Sequence, residues 1–170
     1  MRLLLLLLVL SQSLLSLAQT PEEKLKKAGI ELQRLNSPVA NYVHVVRSGN
    51  LLFLSGKGPQ AANGEYMKGK LGNEISVDSG YKAARATGAI QLAVLKQELG
   101  NLSKVKRIVK VNGYVNSEHQ FADQSKVING FSDLMVEIFG DKGRHARTAI
   151  GVNSLPFNMI VEVEMIVEVE

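Results

Sequence analysis

The sequence predicts a two-layer α+β domain, in which a mixed sheet carries two helices on one face. Three observations carry this reading. Two long stretches place apolar residues at helical spacing, short β-rich runs surround them, and the order is hairpin, helix, strand, helix, strand, strand.

Residues Thr20 to Leu35 read as a short helix. Thr20 is the N-cap, Pro21 takes the first helical position, and Glu22 and Glu23 fill the first turn. Leu25, Ala28 and Leu32 form its apolar stripe, Lys24, Lys26 and Lys27 face water, and Ser37-Pro38 ends it. Tyr42 to Arg47 and Leu51 to Ser55 form a hairpin turned at Ser48-Gly49-Asn50, where glycine and asparagine tolerate positive φ. The glycine-rich stretch from Gly56 to Gly72 is loop, with a short strand near Tyr66.

Ser76 opens the first long helix and Gly100 closes it. Tyr81, Ala84, Gly88, Leu92, Leu95 and Leu99 share one face, and the small Ala84 and Gly88 are expected to let that face approach the sheet. Lys104 to Asn116 alternates instead, with Val105, Val109, Val111 and Val115 inward. The second long helix runs from about Phe121 to Phe139 with Val127, Phe131, Leu134 and Ile138 inward. Two strands follow, Arg147 to Asn153 and Met159 to Val169. In the last, valines and Met165 alternate with Glu162, Glu164, Ile166 and Glu168. Two helices cover one sheet face, so the other face is either wet or covered by another subunit.

The chain starts with Met1, Arg2, an apolar run from Leu3 to Leu10, and the small-residue box Ser16-Leu17-Ala18. These are the parts of a cleaved signal peptide spanning residues 1–18, with export to a periplasm or the outside as the expectation. Ser11, Gln12 and Ser13 break the run, which argues against a stable membrane anchor. The expected divisions are then an N-terminal helical extension at 19–36 and one domain at 37–170.

Composition narrows the chemistry. With no cysteine there is no disulfide framework, thiolate chemistry or lipid on cysteine. A net charge of +4 spread along the chain, with 5% aromatic residues, shows no basic stacking groove, so no nucleic-acid partner is expected. His44, His119 and His145 lack ligand spacing, so neither a metal nor another cofactor is expected. No G-x-S-x-G elbow is present, and Gly56-Lys57-Gly58 lacks the spacing of a phosphate loop. What remains is Arg147 with Glu162. If their strands are adjacent and antiparallel through Leu155-Pro156, the two side chains meet at one sheet end, either as a functional pair or as an ordinary cross-strand salt bridge.

Several segments together resemble one family. Arg147-Thr148-Ala149-Ile150-Gly151-Val152-Asn153-Ser154-Leu155-Pro156 followed by Val161-Glu162-Val163-Glu164 is similar to the closing signature of the RidA/YjgF proteins. Ala40-Asn41-Tyr42-Val43, the run from Gly49 to Gly56, and Val127-Ile128-Asn129 match its opening strand, hairpin and second helix. The resemblance implies a chorismate-mutase-like α+β fold assembled as a homotrimer, with pockets between subunits. It implies hydrolysis of reactive enamines and imines to 2-oxo acids and ammonia. By position, Arg147 would bind a substrate carboxylate, Glu162 would hold the attacking water, and Tyr42, Ser55, Gly56 and Asn129 would line the pocket.

The chain departs from the family pattern at His145 (usually proline), Thr148 (serine), Ala149 (often cysteine) and Lys57 (glutamine), in the loop from Gly56 to Ile75, and in the N-terminal extension. Three functions follow as expectations: an imine or enamine deaminase acting on small carboxylate-bearing molecules, a trimeric binding protein for such metabolites, and an endoribonuclease, an activity also ascribed to some family members. The modest charge and few aromatics favour the first two.

Overall fold

A computed structural model describes residues 19–36, 38 and 40–170. The leader read at 1–18 lies outside the described residues, and so does Ser37 at the expected domain boundary.

The elements run α1 (Pro21–Lys27), β1 (Val45–Ser48), β2 (Leu51–Lys57), α2 (Val77–Leu99), β3 (Val105–Asn116), α3 (Gln124–Phe139), β4 (Ala146–Val152) and β5 (Val161–Val169). Their order in the five-stranded sheet is β1-β2-β5-β3-β4. All pairings are antiparallel except β3 with β4, which is parallel. The β3-α3-β4 unit explains this. A strand that returns through a helical crossover comes back parallel, beside the strand it left.

The first helix is shorter than its apolar stripe suggested. Thr20 and Glu23 form a reciprocal capping box, but Ala28 caps the C-terminus and Gly29 turns at φ 67°. Residues 30–36 continue without helix; Ile30, Leu32 and Leu35 still pack against the core. Leu25 is buried, and Glu22 binds the Lys96 ammonium at 2.8 Å and the Leu102 amide at 2.9 Å, pinning α1 to the end of α2.

The first strand begins at Val45 rather than Tyr42, and the second continues past Ser55 to Lys57. The hairpin turn falls where expected, with Gly49 at φ 58°. The glycine-rich loop contributes an isolated bridge, Gln60 with Tyr66, in place of a strand. Ser76 caps α2 through its hydroxyl, and Gly100 ends it in the left-handed region. The second long helix starts at Gln124 rather than Phe121. In β3, register shifts between Val105 and Lys110 put Ile108 in the core in place of Val109.

Both long helices cover one sheet face, where Val111, Val115, Val161, Val163, Met165 and Val167 meet Leu92, Leu95, Ile128, Phe131 and Leu134 in one cluster. Gly88 does not serve the sheet as its position in α2 suggested; its missing side chain makes room for Leu134 of α3. Gly130 brings the two helices closer still, because a Cβ there would overlap the Tyr81 carbonyl. The opposite sheet face carries exposed apolar side chains at Val46, Phe53 and Ile150.

Candidate functional site

Sheet register separates the candidate residues into two groups. Arg147 lies opposite Val111 of β3, and Glu162 lies opposite Tyr114. Positions three apart on a strand point to opposite faces. Arg147 therefore faces the helix layer and Glu162 the open face. Their strands are not adjacent, because β3 runs between them. This corrects the expectation of one antiparallel pair, and it removes the cross-strand salt bridge within the chain.

The first group gathers where β2 and β5 begin to diverge. A bulge between Leu54 and Lys57 interrupts their pairing. Gln91, fully buried on α2, holds this bulge by donating from Nε2 to Ser55 O at 3.0 Å and Val163 O at 2.7 Å. Ser55 Oγ donates to Val43 O at 2.7 Å, fixing the approach to β1. Gly56 then passes under Glu162, whose carboxylate occupies the space a Cβ would fill. So Gly56 leaves room for Glu162 rather than merely lining a pocket.

Lys57 and His44 complete this group. His44 Nε2 is 2.8 Å from Asn36 O, and its Nδ1 is 2.9 Å from Lys57 Nζ. A carbonyl only accepts, so Nε2 carries the ring proton and Nδ1 accepts from the lysine. The ammonium also lies 5.8 Å from the Tyr42 ring centroid, within cation–π reach. Burial pushes the Lys57 pKa down, and the nearby Glu162 charge pulls it back up. Burial likewise raises the Glu162 carboxyl above its ordinary value; Glu164 adds to this and Lys57 opposes it. Glu164 itself accepts from Asn112 Nδ2 at 2.9 Å and Tyr114 OH at 3.3 Å. A half-buried carboxyl with a raised pKa holds a proton more readily than an ordinary carboxylate, which suits it to taking and returning one.

The second group lies at the β4 edge against α3. Arg147 Nη1 donates to Asn129 Oδ1 at 2.8 Å and to Ser132 Oγ at 3.1 Å. Ser132 Oγ is 3.0 Å from His145 Nε2, and His145 Nδ1 is 2.6 Å from Gly143 O. Among the described residues, Arg147 uses only Nη1 in these bonds. Its Nε and Nη2 remain as the side-by-side donors that grip a carboxylate.

Tyr42, Ser55, Gly56 and Glu162 thus come together, and Asn129 and Arg147 come together elsewhere. The sequence reading missed Gln91, His44, Ser132 and His145 as contributors. A glutamine within the apolar face of α2 was the one signal available for Gln91. Among the described residues, no three of His, Cys, Asp and Glu converge as metal ligands would, and no helix is long and apolar enough to cross a membrane.

Comparison with known proteins bears on the whole chain. The family described as "YjgF/chorismate_mutase-like, putative endoribonuclease" matches residues 22–169. "Protein TCP17" of Trypanosoma cruzi is 45% identical over 145 residues, 85% of this chain and 91% of that protein. The crystal structure of Atu1372, a protein with unknown function from Agrobacterium tumefaciens, is 41% identical. It superposes with a TM-score of 0.80 over 89% of this chain and 94% of its own. A structure titled as a "putative endoribonuclease" from Shewanella oneidensis is 34% identical, with a TM-score of 0.85 over 89% of this chain and 100% of its own.

Proposed function

The chain belongs to the YjgF/RidA-like family, and from that premise we propose that it hydrolyses small carboxylate-bearing imines and enamines to 2-oxo acids and ammonia. The observation that carries the reading is the posture of Arg147: Asn129 and Ser132 hold one guanidinium nitrogen and leave the other edge free. A planar fork so oriented receives a carboxylate with two parallel bonds. Tautomerisation first turns an enamine into an imine. Glu162 then orients a water and accepts its proton as the oxygen attacks the imine carbon. That proton passes on to nitrogen, and the resulting carbinolamine collapses to a carbonyl and ammonia. An imine is already electrophilic, so orientation supplies much of the rate.

The Arg147 and Glu162 groups occupy opposite faces and different regions of one sheet. A homotrimer in which the β4 edge of one subunit meets the β1–β2 side of the next would join them. Its open sheet faces would cover Val46, Phe53 and Ile150, apolar groups that are costly to leave wet. The substrate would sit in the cleft so formed.

The test is to supply purified protein with a freshly generated 2-imino acid and follow its loss against buffer. The deaminase reading predicts rapid loss with wild type and a near-buffer rate with Arg147→Ala. Equal rates in the two proteins would sink it. A pocket that binds without turnover would instead show a 2-oxo acid raising the melting temperature of wild type alone. The family description carries a further reading, RNA cleavage. Labelled RNA offered to the same two proteins separates it, because loss of cleavage in Arg147→Ala would favour that reading.

A further inference from the structure

We infer that Ser132 and His145 are positioning residues that hold Arg147 in its carboxylate-gripping posture only while the His145 ring is neutral. This rests on the reading of Arg147 as a carboxylate clamp, and it adds a proton-dependent control to that site.

Gly143 O can only accept, so His145 Nδ1 donates to it at 2.6 Å, and Nε2 of the neutral ring is left as an acceptor. Ser132 Oγ stands 3.0 Å from that nitrogen and spends its single hydrogen there. Its lone pairs then face Arg147 Nη1 at 3.1 Å. Asn129 Oδ1 takes a second bond from the same nitrogen at 2.8 Å. Four side chains and one carbonyl thus agree on a single arrangement, in which each of these protons has an acceptor.

Protonation breaks the agreement. Nε2 becomes a donor, so Ser132 Oγ faces donors from both sides and its own hydrogen loses its acceptor. An imidazolium and a guanidinium then share one hydroxyl oxygen. Burial already disfavours the charged ring, Gly143 O opposes this, and the Arg147 charge disfavours it further. The other charged groups on α3 and the turn that follows it are engaged elsewhere, Lys126 with Asp123. Asp133 accepts from Tyr81 and Glu137 pairs with Arg85. Asp141 pairs with Arg144, and Lys142 donates to Val105 O. Among these, Arg147 is the charge His145 meets through Ser132. A proline, the usual family residue two places before the arginine, could supply neither the bond nor the titration.

Two measurements test this on the purified protein. The first follows the 15N signals of the Arg147 guanidinium and the ring protons of His145 by NMR as pH falls. The expected result is that the Arg147 signals shift and broaden along the His145 titration. In Ser132→Ala they should ignore it, and Ser132→Thr should restore the link. Arg147 signals indifferent to His145 in wild type overturn the proposal. The second measures pyruvate affinity against pH. Wild type should lose about fivefold as His145 protonates, the worth of roughly one net hydrogen bond, while His145→Gln, which cannot titrate, stays flat. The same loss in His145→Gln also overturns it. If pyruvate binds at no pH but the NMR linkage is present, the positioning stands and the carboxylate reading of Arg147 fails.

Discussion

Arg147 and Glu162 stand on opposite faces of one sheet with β3 between their strands. Two strand spacings and a three-residue offset put their backbones on the order of 14 Å apart. Neither side chain can bend around the sheet, so in the proposed reaction a substrate held by both would touch two copies of the chain.

Assembly is therefore the first expectation. Sedimentation should give the mass of three chains. Phe53 is exposed on the open face, opposite Val46 and Ile166. Phe53→Glu should yield single chains and abolish imine turnover while leaving far-ultraviolet dichroism unchanged. A fully active single chain would contradict the shared cleft.

Arg147→Lys keeps the charge and loses the fork. Two parallel charge-assisted bonds become one point contact. We expect kcat/KM to fall by about 10- to 100-fold, a loss of roughly 1.4 to 2.7 kcal/mol of transition-state binding. Steady-state kinetics on a freshly generated imine measures this, and an unchanged value would remove Arg147 from the site.

Glu162→Gln should affect activity and stability in opposite directions. Losing the proton acceptor should cut turnover by about 100-fold or more. The folded carboxyl has a raised pKa, so its favourable contribution is full below the ordinary carboxylate range and is lost as pH rises through the folded value. At pH 7 the variant should then be slightly more stable than wild type, by roughly 0.5 kcal/mol once solvent exposure is allowed for. Melting curves at pH 4 and pH 7 should show the gap opening with pH.

His145 gives the reverse pH dependence. Its folded pKa is lowered, so on acidification the unfolded chain takes up a proton first. Wild type should lose stability as pH falls through the ordinary histidine range and on to the folded value. The expected loss is about 0.5 kcal/mol after allowing for exposure. His145→Gln should lack that step in urea unfolding measured between pH 8 and pH 5.

Gly130→Ala probes the helix layer. The added methyl meets the Tyr81 carbonyl and the Arg85 amide, both backbone, which cannot step aside as a side chain can. We expect a loss of about 2 to 4 kcal/mol in denaturant unfolding. Gly49→Ala, in open space but at φ 58°, should cost about 1 kcal/mol.

Helices α2 and α3 and strand β5 were readable because their periodicity and caps are local: Ser76 and Gly100 bound one helix, and valine alternates with glutamate in the last strand. Gly29 stopped α1 early because a left-handed turn outweighed a thin apolar stripe. The neighbour of β4 was misread because strands consecutive in sequence were taken as neighbours in space. The β3-α3-β4 crossover instead returns β4 beside β3. At the site, Gly56 and Glu162 were recognisable from the family pattern. Ser132, His145 and Gln91 were not, since each acts through a partner 13 or more residues away and nothing local announces the pairing.

In the proposed trimer, the division of the site between two faces would have a genetic consequence. A chain lacking Arg147 and a chain lacking Glu162 would each be defective in pure form. In a mixed ring, one cleft would receive the intact arginine edge of one chain and the intact glutamate of its neighbour. Two null alleles would then complement each other in one cell, as lesions confined to a self-contained site cannot.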